Sequence, residues 1–186
     1  MIYALLDKEV LVKRGLSLIE LSQKIQSLNI PIAQYRNKID SLNEKRQDLI
    51  EIRAIYSGIL IVNDTIELIN YADGLHIGQE DIRLYSNDLN KAITIIRKKI
   101  GSKLLGLSTH NREEILEANQ LDLDYIGLGA YRGTQTKAEA KILGLEALEL
   151  AKESKHPVGL IGGVRLSDSF PTQIRYRVIG SDLYEN

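Results

Sequence analysis

The side chains in this sequence best suited to chemistry stand in short polar clusters, each directly after a brief apolar run. Gln34-Tyr35-Arg36-Asn37-Lys38 follows Ile32-Ala33. In an extended strand alternate residues share a face, so Gln34, Arg36 and Lys38 point the same way. Arginine offers a two-pronged fork to phosphate oxygens and lysine a point charge. Taken alone, the cluster equally describes a solvated strand end. Asn63-Asp64 closes the next apolar run, and Asp73 through Asp81 (Asp-Gly-Leu-His-Ile-Gly-Gln-Glu-Asp) surrounds the one after it. Mg²⁺ takes hard oxygen ligands, typically one or two carboxylates completed by water and substrate phosphate. Asp64 and Asp81, from adjacent strand ends, form a candidate pair, although a single aspartate is more often a helix cap or turn residue. His76 alternates with Gly74 and Gly78 and so faces a pocket if they do; a lone histidine is more often a packing residue.

Further along, Gly106-Leu107-Ser108-Thr109-His110 ends another apolar run, and Ser108 either donates to a phosphate oxygen or opens a turn. Gly127-Leu128-Gly129-Ala130-Tyr131-Arg132-Gly133 superficially resembles a dinucleotide fingerprint. Its third glycine is displaced by one position and no helix starts promptly, which excludes that reading. Thr134-Gln135-Thr136-Lys137 continues the same loop, with two hydroxyls and a cation suited to phosphate. Gly162-Gly163 and Gly180-Ser181 end the last two apolar runs, where backbone N–H groups can approach a phosphate closely. Each signal is weak alone, and their joint order along the chain is the informative feature.

To position these clusters, short strands must alternate with helices. The hydrophobic pattern predicts strands at Ile2–Leu6, Ile32–Tyr35, Gly58–Val62, Gly74–Ile77, Leu104–Ser108, Tyr125–Gly129, Val158–Ile161 and Arg177–Ile179. It predicts helices over Ser17–Leu28, Ser41–Tyr56, Thr65–Asn70, Asn87–Ile100, Arg112–Asn119, Leu143–Ser154 and Leu166–Gln173. Ser17 with Glu20, and Asn111 with Glu114, have capping-box spacing. Leu89, Ile93, Ile96 and Ile100 fall on one helical face. Eight strands alternating with helices allow a closed barrel or an open doubly wound sheet. Polar clusters after most of the strands favour the barrel, whose active sites lie at that end, whereas an open sheet concentrates ligand residues at one switch point. The expectation is one (β/α)₈ TIM-barrel domain over residues 1–186, with a shortened C-terminal βα region.

Bulk properties narrow the function classes. The chain has 186 residues, 44% of them hydrophobic, which fits one domain with a real core. A formal net charge of −1 gives no reason to expect nucleic acid or an anionic membrane as partner. There is no cysteine, so disulfides, thiolate metal sites and cysteine nucleophiles are excluded. The apolar start stops at Asp7, too short for a signal-peptide core, and no run approaches a membrane span. A cytoplasmic location is expected, and self-association as a homodimer is compatible with the composition.

From Tyr3 to about Ser181 the chain resembles the thiamine phosphate synthase family, which includes a thiazole tautomerase-like branch. The carriers are Gln34 through Lys38, Ile61 through Asp64, Asp73 through Asp81, Gly106 through His110, Asp124 through Lys137 and Ile161 through Gly163. The resemblance implies a TIM-barrel transferase of thiamine biosynthesis that joins hydroxymethylpyrimidine diphosphate to a thiazole phosphate, releasing diphosphate. It implies Mg²⁺ on Asp64 and Asp81, and diphosphate contacts from Arg36, Lys38, Asn63, Ser108 and Lys137. Gln34 is implied for the pyrimidine, and Thr134, Thr136, Gly163 and the Gly180-Ser181 turn for the thiazole phosphate. The chain departs from the family pattern at Ala130 and Gly133, where prolines are usual, at Gly180, where serine is usual, and in a shorter stretch between Gly163 and Val178. A tautomerase has no need of both aspartates and the three cations. A barrel that only binds thiamine phosphate is the remaining alternative.

Overall fold

Strands that are apolar on both faces must be covered on both, and a closed barrel jacketed by helices does this. The computed structural model describes residues 1–133 and 141–185. Its strands are β1 (Ile2–Asp7), β2 (Ile32–Arg36), β3 (Ile59–Asn63), β4 (Gly74–Ile77), β5 (Leu104–Thr109), β6 (Tyr125–Leu128), β7 (Val158–Leu160) and β8 (Ile174–Ile179). They pair in chain order, all parallel, and β8 closes onto β1 with Tyr3 opposite Val178. The connections carry α1 (Lys8–Lys13), α2 (Leu18–Ser27), α3 (Leu42–Ile55), α4 (Gln79–Arg83), α5 (Leu89–Ile100), α6 (Arg112–Ala118) and α7 (Glu146–Leu150). A 3₁₀ turn occupies Ile66–Tyr71 and another follows α7, while α8 (Ser181–Glu185) ends the described chain.

Local signals explain the helix starts. Ser41 and Glu44 form a full capping box at α3. At α2, Ser17 accepts the Glu20 N–H at 3.3 Å. At α6, Asn111 accepts the Glu114 N–H at 2.9 Å, while the Glu114 carboxylate turns back to the His110 N–H at 2.8 Å. On α5 the residues Ala92, Ile93, Ile96 and Ile100 are buried, and each isoleucine contributes about 1.5–3 kcal/mol by leaving water.

The expected helix over Leu166–Gln173 does not form, and the strand expected at Arg177 begins earlier, at Ile174. Pro171 lacks the N–H that a helix there would need. The carbonyls of Leu166 and Asp168 accept instead from the Arg177 guanidinium, at 2.9 and 2.7 Å. Among the described residues, the β7–β8 connection therefore contains no helix. The segment expected to be helical over Leu143–Ser154 is a short helix ending in a 3₁₀ turn, and the one expected over Thr65–Asn70 is a 3₁₀ helix, Ile66–Tyr71. The helices α1, α4 and α8 carry no long apolar period and were not foreseen; α1 follows β1 directly, capped by Asp7.

Two apolar zones hold the barrel. Ala4, Leu6, Ala33, Val62, Leu75 and Leu107 belong to the larger one, which also contains the buried helix faces. Tyr3, Leu5, Ile32, Ile61, Tyr125 and Val178 form the smaller one inside the barrel. There the rings of Tyr3, Tyr125 and Tyr176 meet edge to face, with centroids 5.9–6.0 Å apart. Neighbouring strands leave room for them: a Cβ on Gly106 would lie 2.2 Å from the Tyr125 ring. These rings pack against Leu5 and Val178, which line a cavity at the carboxyl ends of the strands.

Candidate functional site

The cavity has a volume of about 780 Å³ and is lined from most of the strand ends. Its residues come from one face of each strand, so period-two alternation decides which side chains reach it. On β1 it is Leu5, with Tyr3 and Asp7 buried on the same face; on β2 they are Gln34 and Arg36, with Lys38 just beyond. The intervening Tyr35 and Asn37 point outward and anchor this strand end. Tyr35 donates to Asp48 of α3 at 2.5 Å, Asn37 donates to Tyr35 at 2.6 Å, and Lys8 of α1 pairs with Asp48 at 3.0 Å.

Of the implied residues, Gln34, Arg36, Lys38, Asn63, Asp64 and Asp81 gather on one side of the cavity. Arg36 is held by the buried Asp7 at 2.7 Å. Lys38 lies between two carboxylates, 2.5 Å from Asp64 and 3.5 Å from Asp81. Partial burial pulls the Lys38 pKa down, but the hydrogen bond and charge of Asp64, with the charge of Asp81, outweigh it and leave the ammonium above its ordinary value. Asn63 donates to the same Asp64 carboxylate. Asp64 adopts a positive φ of 56°, and its other oxygen accepts the Gly78 N–H at 2.9 Å.

Gly78 separates the two carboxylates. A Cβ there would lie 3.2 Å from Asp81 Oδ2 and 3.7 Å from Asp64 Oδ1. The pair is thus a small all-oxygen cradle, half neutralised by the Lys38 ammonium. No group of three His, Cys, Asp or Glu suited to a metal occurs among the described residues. Two carboxylates suffice for Mg²⁺ when substrate phosphate and water complete the shell, so the residues present fit that ion.

Ser108, Gly163, Gly180 and Ser181 also line the cavity. Ser108 Oγ sits 3.0 Å from His76 Nε2, and the Ser108 carbonyl accepts from Gln79 at 2.8 Å. Gly162 and Gly163 have φ of 94° and 59°, and a Cβ on either would strike Ala130 or Arg132 at 2.7–2.8 Å. Arg132 grips Asp168 through both oxygens, at 2.6 and 3.0 Å, and the Gly163 carbonyl at 2.9 Å. This ties the turn after β7 to the loop after β6. Thr134, Thr136 and Lys137 lie outside the described residues.

Sequence reasoning passed over Tyr3, Asp7 and Tyr125, and gave His76 little weight. The signal for them was the same alternation that found Gln34 and Arg36: Tyr3-Leu5-Asp7, Gly74-His76-Gly78 and Tyr125-Gly127-Gly129 are the inward faces of β1, β4 and β6. Together the arrangement can hold a diphosphate by two cations and a metal pair, above an aromatic floor with an amide at its edge.

The family model for thiamine monophosphate synthase matches residues 2–171. A thiamine-phosphate synthase of Dictyoglomus thermophilum is 35% identical over 82% of this chain and 68% of its own length. One from Persephonella marina is 31% identical, covering all of this chain and 88% of its own. Among solved structures, a thiamine phosphate pyrophosphorylase from Pyrococcus furiosus superposes with a TM-score of 0.76 at 22% identity, over 97% of this chain and 85% of that one. A geranylgeranylglyceryl phosphate synthase from Thermoplasma acidophilum also superposes, with a TM-score of 0.63 at 12% identity. At such identities the likeness concerns the barrel, which hosts many chemistries.

Proposed function

The chain belongs to the thiamine monophosphate synthase family, and from that premise we propose that it couples hydroxymethylpyrimidine diphosphate to a thiazole phosphate with the help of Mg²⁺. It is by family a transferase of thiamine biosynthesis. The observation that carries the finer reading is the Lys38 ammonium set between Asp64 and Asp81, with Arg36 beside it. The described chain contains no helix long and apolar enough to cross a membrane, and a cytoplasmic setting is part of the proposal.

In this reaction the methylene carbon–oxygen bond of the pyrimidine substrate breaks, and diphosphate departs with the electron pair. The thiazole nitrogen lone pair then forms the new carbon–nitrogen bond. No protein nucleophile is required; what matters is stabilising the leaving charge and placing the acceptor. Asp64 and Asp81 are the residues that would hold Mg²⁺, which when bound neutralises charge on the diphosphate. Arg36, fixed by Asp7, presents a guanidinium to the leaving oxygens. Lys38, paired with both carboxylates in this structure, would turn its ammonium to the diphosphate once Asp64 and Asp81 held the metal. Asn63 and Ser108 add neutral donors, and Gln34 offers its amide to the pyrimidine. The glycine turns after β7 and β8 give backbone room for the thiazole phosphate, with Thr134 and Thr136 assigned to the same work, and Lys137 to the diphosphate, by resemblance.

The test is to incubate the purified protein with both substrates and Mg²⁺, with and without chelator, and to assay thiamine phosphate. Chelator-sensitive product, lost in Asp64→Asn and Asp81→Asn, is the expected outcome. A folded protein that forms no product but isomerises the thiazole, or binds thiamine phosphate without turnover, would overturn it.

A further inference from the structure

A chain of hydrogen bonds crosses the barrel floor beneath the cavity. Gln34 Nε2 lies 2.9 Å from Tyr3 Oη, which lies 2.9 Å from Tyr125 Oη. Tyr125 Oη is 3.1 Å from His76 Nδ1, and His76 Nε2 is 3.0 Å from Ser108 Oγ. The His76 ring also stacks on Tyr125, with centroids 5.5 Å apart. Burial raises the pKa of both tyrosines, so each stays a hydroxyl with one proton to give.

The order of donors follows from one end. An amide nitrogen can only donate, so Tyr3 accepts from Gln34; the one order in which every hydroxyl proton of the chain then finds an acceptor within it sends the Tyr3 proton to Tyr125. Tyr125 then donates to His76 Nδ1, which must be the bare nitrogen of a neutral imidazole. The ring proton is therefore on Nε2 and is donated to Ser108. Ser108, having accepted, keeps its own proton for the cavity that it lines.

We infer that His76 is a positioning residue: the chain from Gln34 through Tyr3 and Tyr125 holds it as the Nε2–H tautomer, and this turns the Ser108 hydroxyl proton toward the anionic ligand. The role rests on the reading above in which Ser108 faces the leaving diphosphate. A serine donating there makes a charge-assisted bond that strengthens as charge develops. With the chain reversed, its proton would be spent on His76 and its lone pairs would face the anion. The chain also joins the two halves of one substrate, because the amide that meets the pyrimidine sets the polarity of the hydroxyl that meets the diphosphate.

The test is long-range ¹H–¹⁵N correlation spectroscopy on ¹⁵N-histidine-labelled, ligand-free protein, with His110 and His156 assigned by substitution. The wild type is expected to show the Nε2–H tautomer at His76, and Tyr125→Phe, which removes only the hydroxyl, a mixture with Nδ1–H. In the coupling assay Tyr125→Phe is expected to lower kcat about 10-fold, part of the loss seen when one donor to a developing anion is removed, with KM for the thiazole phosphate unchanged. Tyr3→Phe should act in the same direction. Tyr71→Phe, which alters a partly buried ring of the outer apolar zone away from the cavity, should keep both the tautomer and the rate. Nδ1–H in the wild type, or a folded Tyr125→Phe protein with unaltered tautomer and kcat, would overturn the inference. A wild type that forms no product overturns the synthase reading instead, while the tautomer still decides the polarity of the chain.

Discussion

Removing the charge of Lys38 should move metal binding and catalysis in opposite directions. The ammonium lies 2.5 Å from Asp64 and 3.5 Å from Asp81, so without diphosphate it competes with any cation for the same carboxylates. The Lys38 side chain is 40% exposed and Asp81 33%, which screens both pairs strongly, whereas Asp64 is 12% exposed. Ion pairs in such settings contribute roughly 0.2–1 kcal/mol each, so the two together oppose a metal by about 0.4–2 kcal/mol. Lys38→Gln should accordingly tighten Mg²⁺ or Mn²⁺ binding to the ligand-free protein by about 2- to 30-fold, since about 1.4 kcal/mol corresponds to a factor of ten. Titration calorimetry on wild type, Lys38→Gln and the Lys38→Gln/Asp64→Asn double variant reads this directly. The double variant should lose the gain. Turnover of Lys38→Gln should fall even as its metal affinity rises, because the diphosphate has lost a cation. Unchanged or weaker metal binding in Lys38→Gln would refute the assignment of Asp64 and Asp81 as the residues that would hold the metal.

Gly106→Ala should destabilise the fold by about 1–3 kcal/mol, as overpacking does, because its Cβ would meet the Tyr125 ring at 2.2 Å; urea denaturation checks it, and a change under 0.5 kcal/mol would mean that the floor yields easily. Glu114 should shape the acid limb of stability. Burial alone would raise its pKa, but hydrogen bonds and charge from His110, with Asn111, prevail and hold it below the ordinary glutamate range. A depressed folded pKa gives stability that is present above the unfolded value and is lost as pH falls through the folded one, so Glu114→Gln should flatten the denaturation midpoint between about pH 5 and 3. Asp168→Asn should weaken the two-pronged tie to Arg132 and raise KM for the thiazole phosphate roughly 3- to 10-fold, a loss of about 1 kcal/mol, leaving KM for the pyrimidine diphosphate unaltered in steady-state kinetics.

The eight strands and most helices were legible because their causes are local. Unbroken apolar runs such as Ile59-Leu60-Ile61-Val62 demand burial on both faces, and Ser41, Asp88 and Asn111 cap helices with groups only three residues away. The inward parity of Gln34, Arg36 and Lys38 needed only the alternation of a strand. Their meeting with Asp64 and Asp81, however, is a product of closure. Parallel neighbours β2, β3 and β4 bring their carboxyl ends side by side, and no spacing in the chain states that Lys38 reaches both aspartates. The helix wrongly expected over Leu166–Gln173 was lost to a non-local donor, Arg177.

The sequence by itself determined which residues of each strand share a face and which polar types end each strand, because period and propensity act within a few residues. Only the tertiary structure decided that Tyr3 and Tyr125 touch across 122 positions, that His76 joins them to Ser108, and that Asp7 holds Arg36. Those contacts depend on barrel closure and on the space left by Gly106 and Gly127. The physical reason is range. Hydrogen bonds and ion pairs between side chains act over about 3–4 Å, a distance that chain separation does not encode until the sheet has closed.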